Sequence, residues 1–203
     1  MKIIRESSEN EMLLEYLKSE IDSNRFSEKL KKALDDLDIS SNIILNGNLD
    51  DEYENRQRKV LMQEFREYPT GDIFKGFPKE FKWYFVEFEK DDFDKIFYLN
   101  WPCWNERTNN TAKPSEAAKN ILNGIEFSDI PNAKFLKGLD YLEKSGKFDP
   151  IIAVTCNGEK MVLIEGHSRV TVYALKPELF VGTYGYVGFC SKEDMENYDS
   201  RMI

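Results

Sequence analysis

The chain has 203 residues, 41% hydrophobic and 13% aromatic, which suffices for a core and excludes wholesale disorder. Its formal charge is −9 and its pI is near 4.9, a balance that weighs against nucleic acid as a partner, since duplex binding rests on Lys and Arg neutralising phosphates. No stretch approaches the ~20 apolar residues needed to cross a bilayer, and the first ten residues lack the apolar run of a secretory signal; the sequence predicts a cytoplasmic protein without a membrane partner.

Residues 8–37 carry helical periodicity, through Met12, Leu13, Tyr16, Leu17 and Ile21 and then Phe26, Leu30, Ala33, Leu34 and Leu37. Asn46-Gly47-Asn48 is a turn signal, after which residues 50–68 predict a helix with Tyr53, Val60, Leu61 and Phe65 inward, ended by Pro69-Thr70-Gly71. An aromatic-rich stretch follows. Residues 81–88 read as a strand on residue type, 91–94 as a turn and 95–99 as a second short strand. Residues 100–111 are too polar and broken for a regular element; their Trp101 and Trp104 read either as a plug over the core or as a ligand-facing pair.

Pro114 opens a helix to about residue 122, and residues 133–145 predict another, closed by Gly146. Residues 150–156 and 160–164 are β runs around Asn157-Gly158, a hairpin signal. A helix from Val170 is interrupted at Pro177, residues 184–190 read as a last strand, and residues 194–202 as a terminal helix. This order predicts an α+β fold: a small mixed sheet flanked by helices in residues 69–203, with a helical N-terminal segment, 1–68, packed on it because its apolar face needs the aromatic stretch for burial. Cys103, Cys156 and Cys190 contain no Cys-x-x-Cys, and with one histidine in the chain neither a disulfide framework nor a four-ligand zinc site is spelled out. Cys156, within an apolar run, reads as a buried structural thiol.

The chemistry concentrates in Glu165-Gly166-His167-Ser168-Arg169, at the junction of a predicted strand and helix. Glycine permits a sharp turn or close ligand approach. The first amides of the helix lack intrahelical acceptors, and its dipole favours an anion. Ser168 adds a hydroxyl, Arg169 a forked cation suited to phosphate, and His167 a hydrogen-bonding or proton-shuttling imidazole. Glu165 suits a base or a carboxylate on a metal-bound water. The plainer alternative makes Glu-Gly-His a turn, Ser168 a helix cap and Arg169 an exposed helix residue paired with a neighbour.

The order helix, glycine, Phe148-Asp149-Pro150-Ile151-Ile152-Ala153-Val154, turn, Met161-Val162-Leu163-Ile164-Glu165-Gly166-His167-Ser168-Arg169 and helix resembles the core of the ParB/sulfiredoxin-like superfamily over residues 134–190. It is most similar to the branch with (Asp/Glu)-Gly-His-x-Arg, near free-serine kinases and bacterial or phage ParB-like domains. The resemblance implies that Gly166, His167, Ser168 and Arg169 hold nucleotide phosphates, with Glu165 as the acidic residue. Two departures matter. His167 stands where sulfiredoxins carry the reactive cysteine, which argues against sulfinic-acid reduction. About a dozen residues follow the last strand, where chromosome-partitioning relatives add a helix-turn-helix domain. The upstream arginine-bearing segment of such proteins is best matched by Asn105-Glu106-Arg107-Thr108, making Arg107 a phosphate ligand and Glu106 the second carboxylate of a phosphotransferase.

Two functions follow as expectations. One is a magnesium-dependent phosphotransferase or nucleotide hydrolase using ATP, ADP or CTP, with Glu165, His167 and Glu106 catalytic and Glu165 on the metal. The other is a non-catalytic module that senses a nucleotide or small phosphorylated ligand, its N-terminal helices contacting a protein partner or a second copy. Nuclease activity ranks below both.

Overall fold

A computed structural model describes residues 1–127 and 130–202. The chain runs β1 (Lys2–Glu6), α1 (Glu9–Ile21), α2 (Ser27–Asp36), α3 (Asn42–Leu45), α4 (Glu52–Arg66), β2 (Lys82–Glu87), β3 (Ile96–Tyr98), α5 (Pro102–Arg107), α6 (Pro114–Leu122), α7 (Asn132–Ser145), β4 (Ile151–Thr155), β5 (Met161–Glu165), α8 (His167–Leu175), β6 (Tyr184–Phe189) and α9 (Lys192–Tyr198). The strands form one mixed sheet in the order β1-β2-β6-β4-β5-β3. The pairs β1–β2, β2–β6 and β4–β5 are antiparallel, whereas β4–β6 and β3–β5 are parallel. The fold class is α+β, as the order of elements predicts.

The central strands β4 and β5 are near-continuous apolar runs because both faces of the sheet are covered. Ile152, Val154, Val162 and Ile164 point to one side, where they meet Leu13, Leu17, Leu61 and Phe65. Ile151, Ala153, Met161 and Leu163 point to the other, against Phe135, Val170 and Tyr173. Helices α1–α4 and α9 therefore cover one face and α5–α8 the other. Residues of α1–α4 share a core with the sheet. Among the described residues no helix is long and apolar enough to cross a membrane.

Four local features differ from expectation. Residues 100–111 contain a helix, α5, started by Pro102 in its first turn and buried through Trp104 and Arg107. Tyr53 and Val60 are 61% and 47% exposed, so they are not inward residues of α4. The inward face instead includes Arg58, whose guanidinium donates to the carbonyls of Ile43 (2.8 Å) and Asn48 (2.9 Å) and ties α4 to the preceding turn. Edge strand β1 has no counterpart among the predicted elements; all five of its residues are exposed. Cys156 is half-buried against the core rather than enclosed.

Candidate functional site

The end of β5 and the start of α8 open into a cavity of about 550 Å³, closed on its other side by the end of α1, the connection to α2 and the end of α4. Gly166 makes the turn. It has φ +99°, and a Cβ there would lie 2.7 Å from the Ile151 Cγ2 methyl, so the conformation and the space both demand glycine. Val170 N–H donates to the Gly166 carbonyl at 2.9 Å, so Gly166 holds the cap position, and His167, Ser168 and Arg169 form the first turn. Ser168 is therefore not the cap.

The five motif residues all line the cavity. Arg169 donates to Glu165 Oε1 at 3.3 Å and, through both terminal nitrogens, to Ser19 Oγ at 3.3 Å. It is thus a paired residue, held by the carboxylate at the strand end and by the last turn of α1. His167 lies on the Trp104 indole, ring centroids 5.1 Å apart and 18° from parallel. Burial pushes its pKa down to about 3, helped by the positive charges of Arg66, Arg25 and Arg169. Its imidazole is neutral, and its enclosed Nε2 meets no hydrogen-bond partner among the described residues.

The second carboxylate is Glu20, from the last turn of α1. It is 4% exposed and lines the same cavity. Burial, and then the Glu165 charge, push its pKa up to about 7, against the opposing influence of the Ser23 hydroxyl, Arg66 and Arg169. Two carboxylates thus line one cavity, Glu20 able to hold a proton near neutrality and Glu165 paired with an arginine. Glu106 is exposed on α5, away from the lining. Arg107 is fully buried between the rings of Phe127 and Phe135 (4.6 and 5.0 Å), and it donates to the Ile130 carbonyl at 2.8 Å. It braces the chain before α7, and the structure brings neither residue to the cavity.

Around the mouth stand Arg25, Lys29, Arg66 and Lys134. Arg25 and Arg66 lie over the Phe26 ring at 4.9 and 4.6 Å, and Arg66 Nε donates to the Tyr16 hydroxyl at 3.0 Å. None of the four cations is in an ion pair among the described residues. Asp22, Glu67 and Asp72 share the rim, so with Arg169, Glu165 and Glu20 the lining balances its charges within a chain of net −9. Trp101, half-exposed, and Trp104, buried, both line the cavity, so the pair serves core and pocket together.

Magnesium carried on substrate phosphates asks for only one or two carboxylates, and Glu165 and Glu20 both line this cavity. Among the described residues no three His, Cys, Asp or Glu side chains gather as a metal cage would, and the Arg169 cation already lies on Glu165.

Glu20 and the four rim cations are absent from the sequence reading. Glu20 had a signal: it stands four residues after Tyr16 and three after Leu17, on the apolar stripe of α1. The cations had none, because Arg25, Lys29, Arg66 and Lys134 come from separate elements that only the fold unites. Comparison with family models, with curated proteins and with solved structures returned no match.

Proposed function

We propose that the cavity binds a small phosphorylated ligand of nucleotide size and that the protein is an enzyme acting on it. The observation that carries this reading is the set of four cations, Arg25, Lys29, Arg66 and Lys134, that face one cavity without ion-pair partners among the described residues. In so acidic a chain, unpaired cations gathered at one opening supply a local anion site. A volume of about 550 Å³ lies within the usual range for small-molecule pockets, and Trp101 with the Trp104–His167 stack offers flat faces to a base.

The resemblance to ParB/sulfiredoxin-like proteins supports a nucleotide, but with its phosphate at the rim and not on the motif, because Arg169 is engaged by Glu165 and Ser19. The Glu20–Glu165 pair favours an enzyme over a sensor. Ligand binding alone gives no reason to bury one carboxylate against another, whereas proton transfer does.

The test is thermal stability with ATP, ADP, CTP, GTP and the nucleoside monophosphates, each with and without magnesium. A ligand at 100 times its Kd stabilises by about 2.7 kcal/mol. Wild type should shift with at least one compound, and Arg66→Leu should lose most of that shift. Absence of any shift across the panel would overturn the reading.

A further inference from the structure

Resting on that reading of the rim, we infer that the protein hydrolyses the glycosidic bond of a nucleoside monophosphate, with Glu20 as general acid and Glu165 as general base. The cations and the two carboxylates sit at different depths of the cavity. Arg25, Lys29 and Lys134 are exposed and Arg66 half-buried, beside exposed Asp22, Glu67 and Asp72, whereas Glu20 is buried and half-buried Glu165 is paired with Arg169. The cations free to take a phosphate are thus at the mouth, since the one beside the two carboxylates, Arg169, is already on Glu165.

A transferring phosphoryl group spreads negative charge over its oxygens, which enzymes neutralise with metal ions or cations at the reacting centre. Two carboxylates are poor neighbours for it, and the cation beside them, Arg169, is already on Glu165. The phosphate is thus a handle, and the reacting atom lies deeper. A glycosidic carbon has the opposite demand: its transition state is cationic, and a carboxylate on one side with a carboxylic acid on the other is the arrangement that cleaves it. The His167 imidazole, neutral and stacked on Trp104, adds no opposing charge at that depth.

The step balances. Glu165 takes a proton from water as the water oxygen bonds to C1′ of the ribose. The C1′–N bond breaks, its electron pair passes to the base nitrogen, and Glu20 donates its proton there. Free base and ribose 5-phosphate leave, and transfer of the proton from Glu165 to Glu20 restores the starting state.

The experiment incubates the full chain with AMP, CMP, GMP and UMP separately, and measures free base, ribose 5-phosphate and inorganic phosphate by chromatography. Free base from at least one nucleotide is expected. Glu20→Gln and Glu165→Gln should each slow its release by about 100-fold or more while keeping the thermal shift with that nucleotide. Base release by wild type should also fall on the alkaline side as Glu20 loses its proton, a limb that needs no variant to observe. A thermal shift without base release, release of inorganic phosphate in its place, or a Glu20→Gln variant as fast as wild type would overturn this inference and leave nucleotide binding standing. No shift with any phosphorylated compound would overturn both.

Discussion

The His167 imidazole lies flat on the Trp104 indole, with ring centroids 5.1 Å apart and planes 18° from parallel. The contact joins the motif histidine at the start of α8 to a helix, α5, in a segment whose sequence looks irregular. Enclosure there, beside three arginine charges, pushes the His167 pKa down to about 3. It is the one histidine of the chain, so its ring-proton resonances need no assignment. They should keep their chemical shifts from pH 8 to pH 5, and Trp104→Ala should bring the titration back towards the ordinary value of about 6.5 as water reaches the ring. A wild-type midpoint near 6.5 would contradict the enclosed, neutral imidazole.

Glu20 carries the opposite linkage. Its folded pKa, about 7, lies above the ordinary 4.5, so between those values the folded chain holds a proton that the unfolded chain has lost. The stability tied to that proton is fully present below pH 4.5 and is lost as pH rises to about 7. His167 works the other way, losing stability as pH falls from about 6.5 towards 3. Glu20→Gln mimics the protonated form at every pH. It should match wild type near pH 4 and exceed it at pH 8 by on the order of 2 kcal/mol, read from urea midpoints at the two values. A gap that does not change with pH would show that Glu20 is not the titrating group. A gain in stability on removing a site carboxylate is also what a stability–activity trade-off predicts.

The difference between Glu165 and Glu20 shows what the sequence could reveal. Glu165 is legible because a glycine and a helix start follow a buried strand, and β4 and β5 are legible because both faces of the sheet bury them. Glu20 lies on the apolar stripe of α1, within Leu17-Lys18-Ser19-Glu20-Ile21, but residue type alone assigns a glutamate to solvent. Only the crossing of α1 over the end of β5, fixed by contacts such as Arg169 to Ser19, encloses it. The α4 face was misread for a related reason. Tyr53 and Val60 suggest an apolar stripe, but Arg58 satisfies carbonyls of the 43–48 turn and so takes the inward place. Fully exposed β1 carries no burial pattern to read.

Arg58 is fully buried, and its fork also donates to Asn55 Oδ1 at 2.5 Å and Glu54 Oε2 at 3.1 Å. Arg58→Met keeps much of the stem volume but strips the Ile43 and Asn48 carbonyls of their donor. Removing one partner from such a buried network costs about 3 kcal/mol, visible as a lower urea midpoint. Arg58→Lys should recover little, since an ammonium cannot reproduce a planar fork. Near-wild-type stability in Arg58→Met would show that the turn is held by packing alone.

Gly166→Ala tests the turn that builds the site. Alanine at φ +99° is strained wherever it sits, and here its Cβ would also lie 2.7 Å from Ile151 Cγ2 and 3.2 Å from Arg169 Nε. Backbone strain of this kind costs roughly 1–3 kcal/mol, and the clash adds to it. The two parts separate in a double-mutant cycle. Ile151→Ala removes the methyl that the new Cβ would strike, so in that background Gly166→Ala should cost less, with a coupling of at least about 0.5 kcal/mol. What remains is the conformational part, with the milder approaches to the position-151 Cβ at 3.1 Å and to Arg169 Nε at 3.2 Å. Because Arg169 must move aside, its bonds to Glu165 and Ser19 loosen, and the thermal shift with nucleotide should shrink in Gly166→Ala even where the protein stays folded. Full coupling with no residual penalty would mean that space, not φ, fixes glycine at this position.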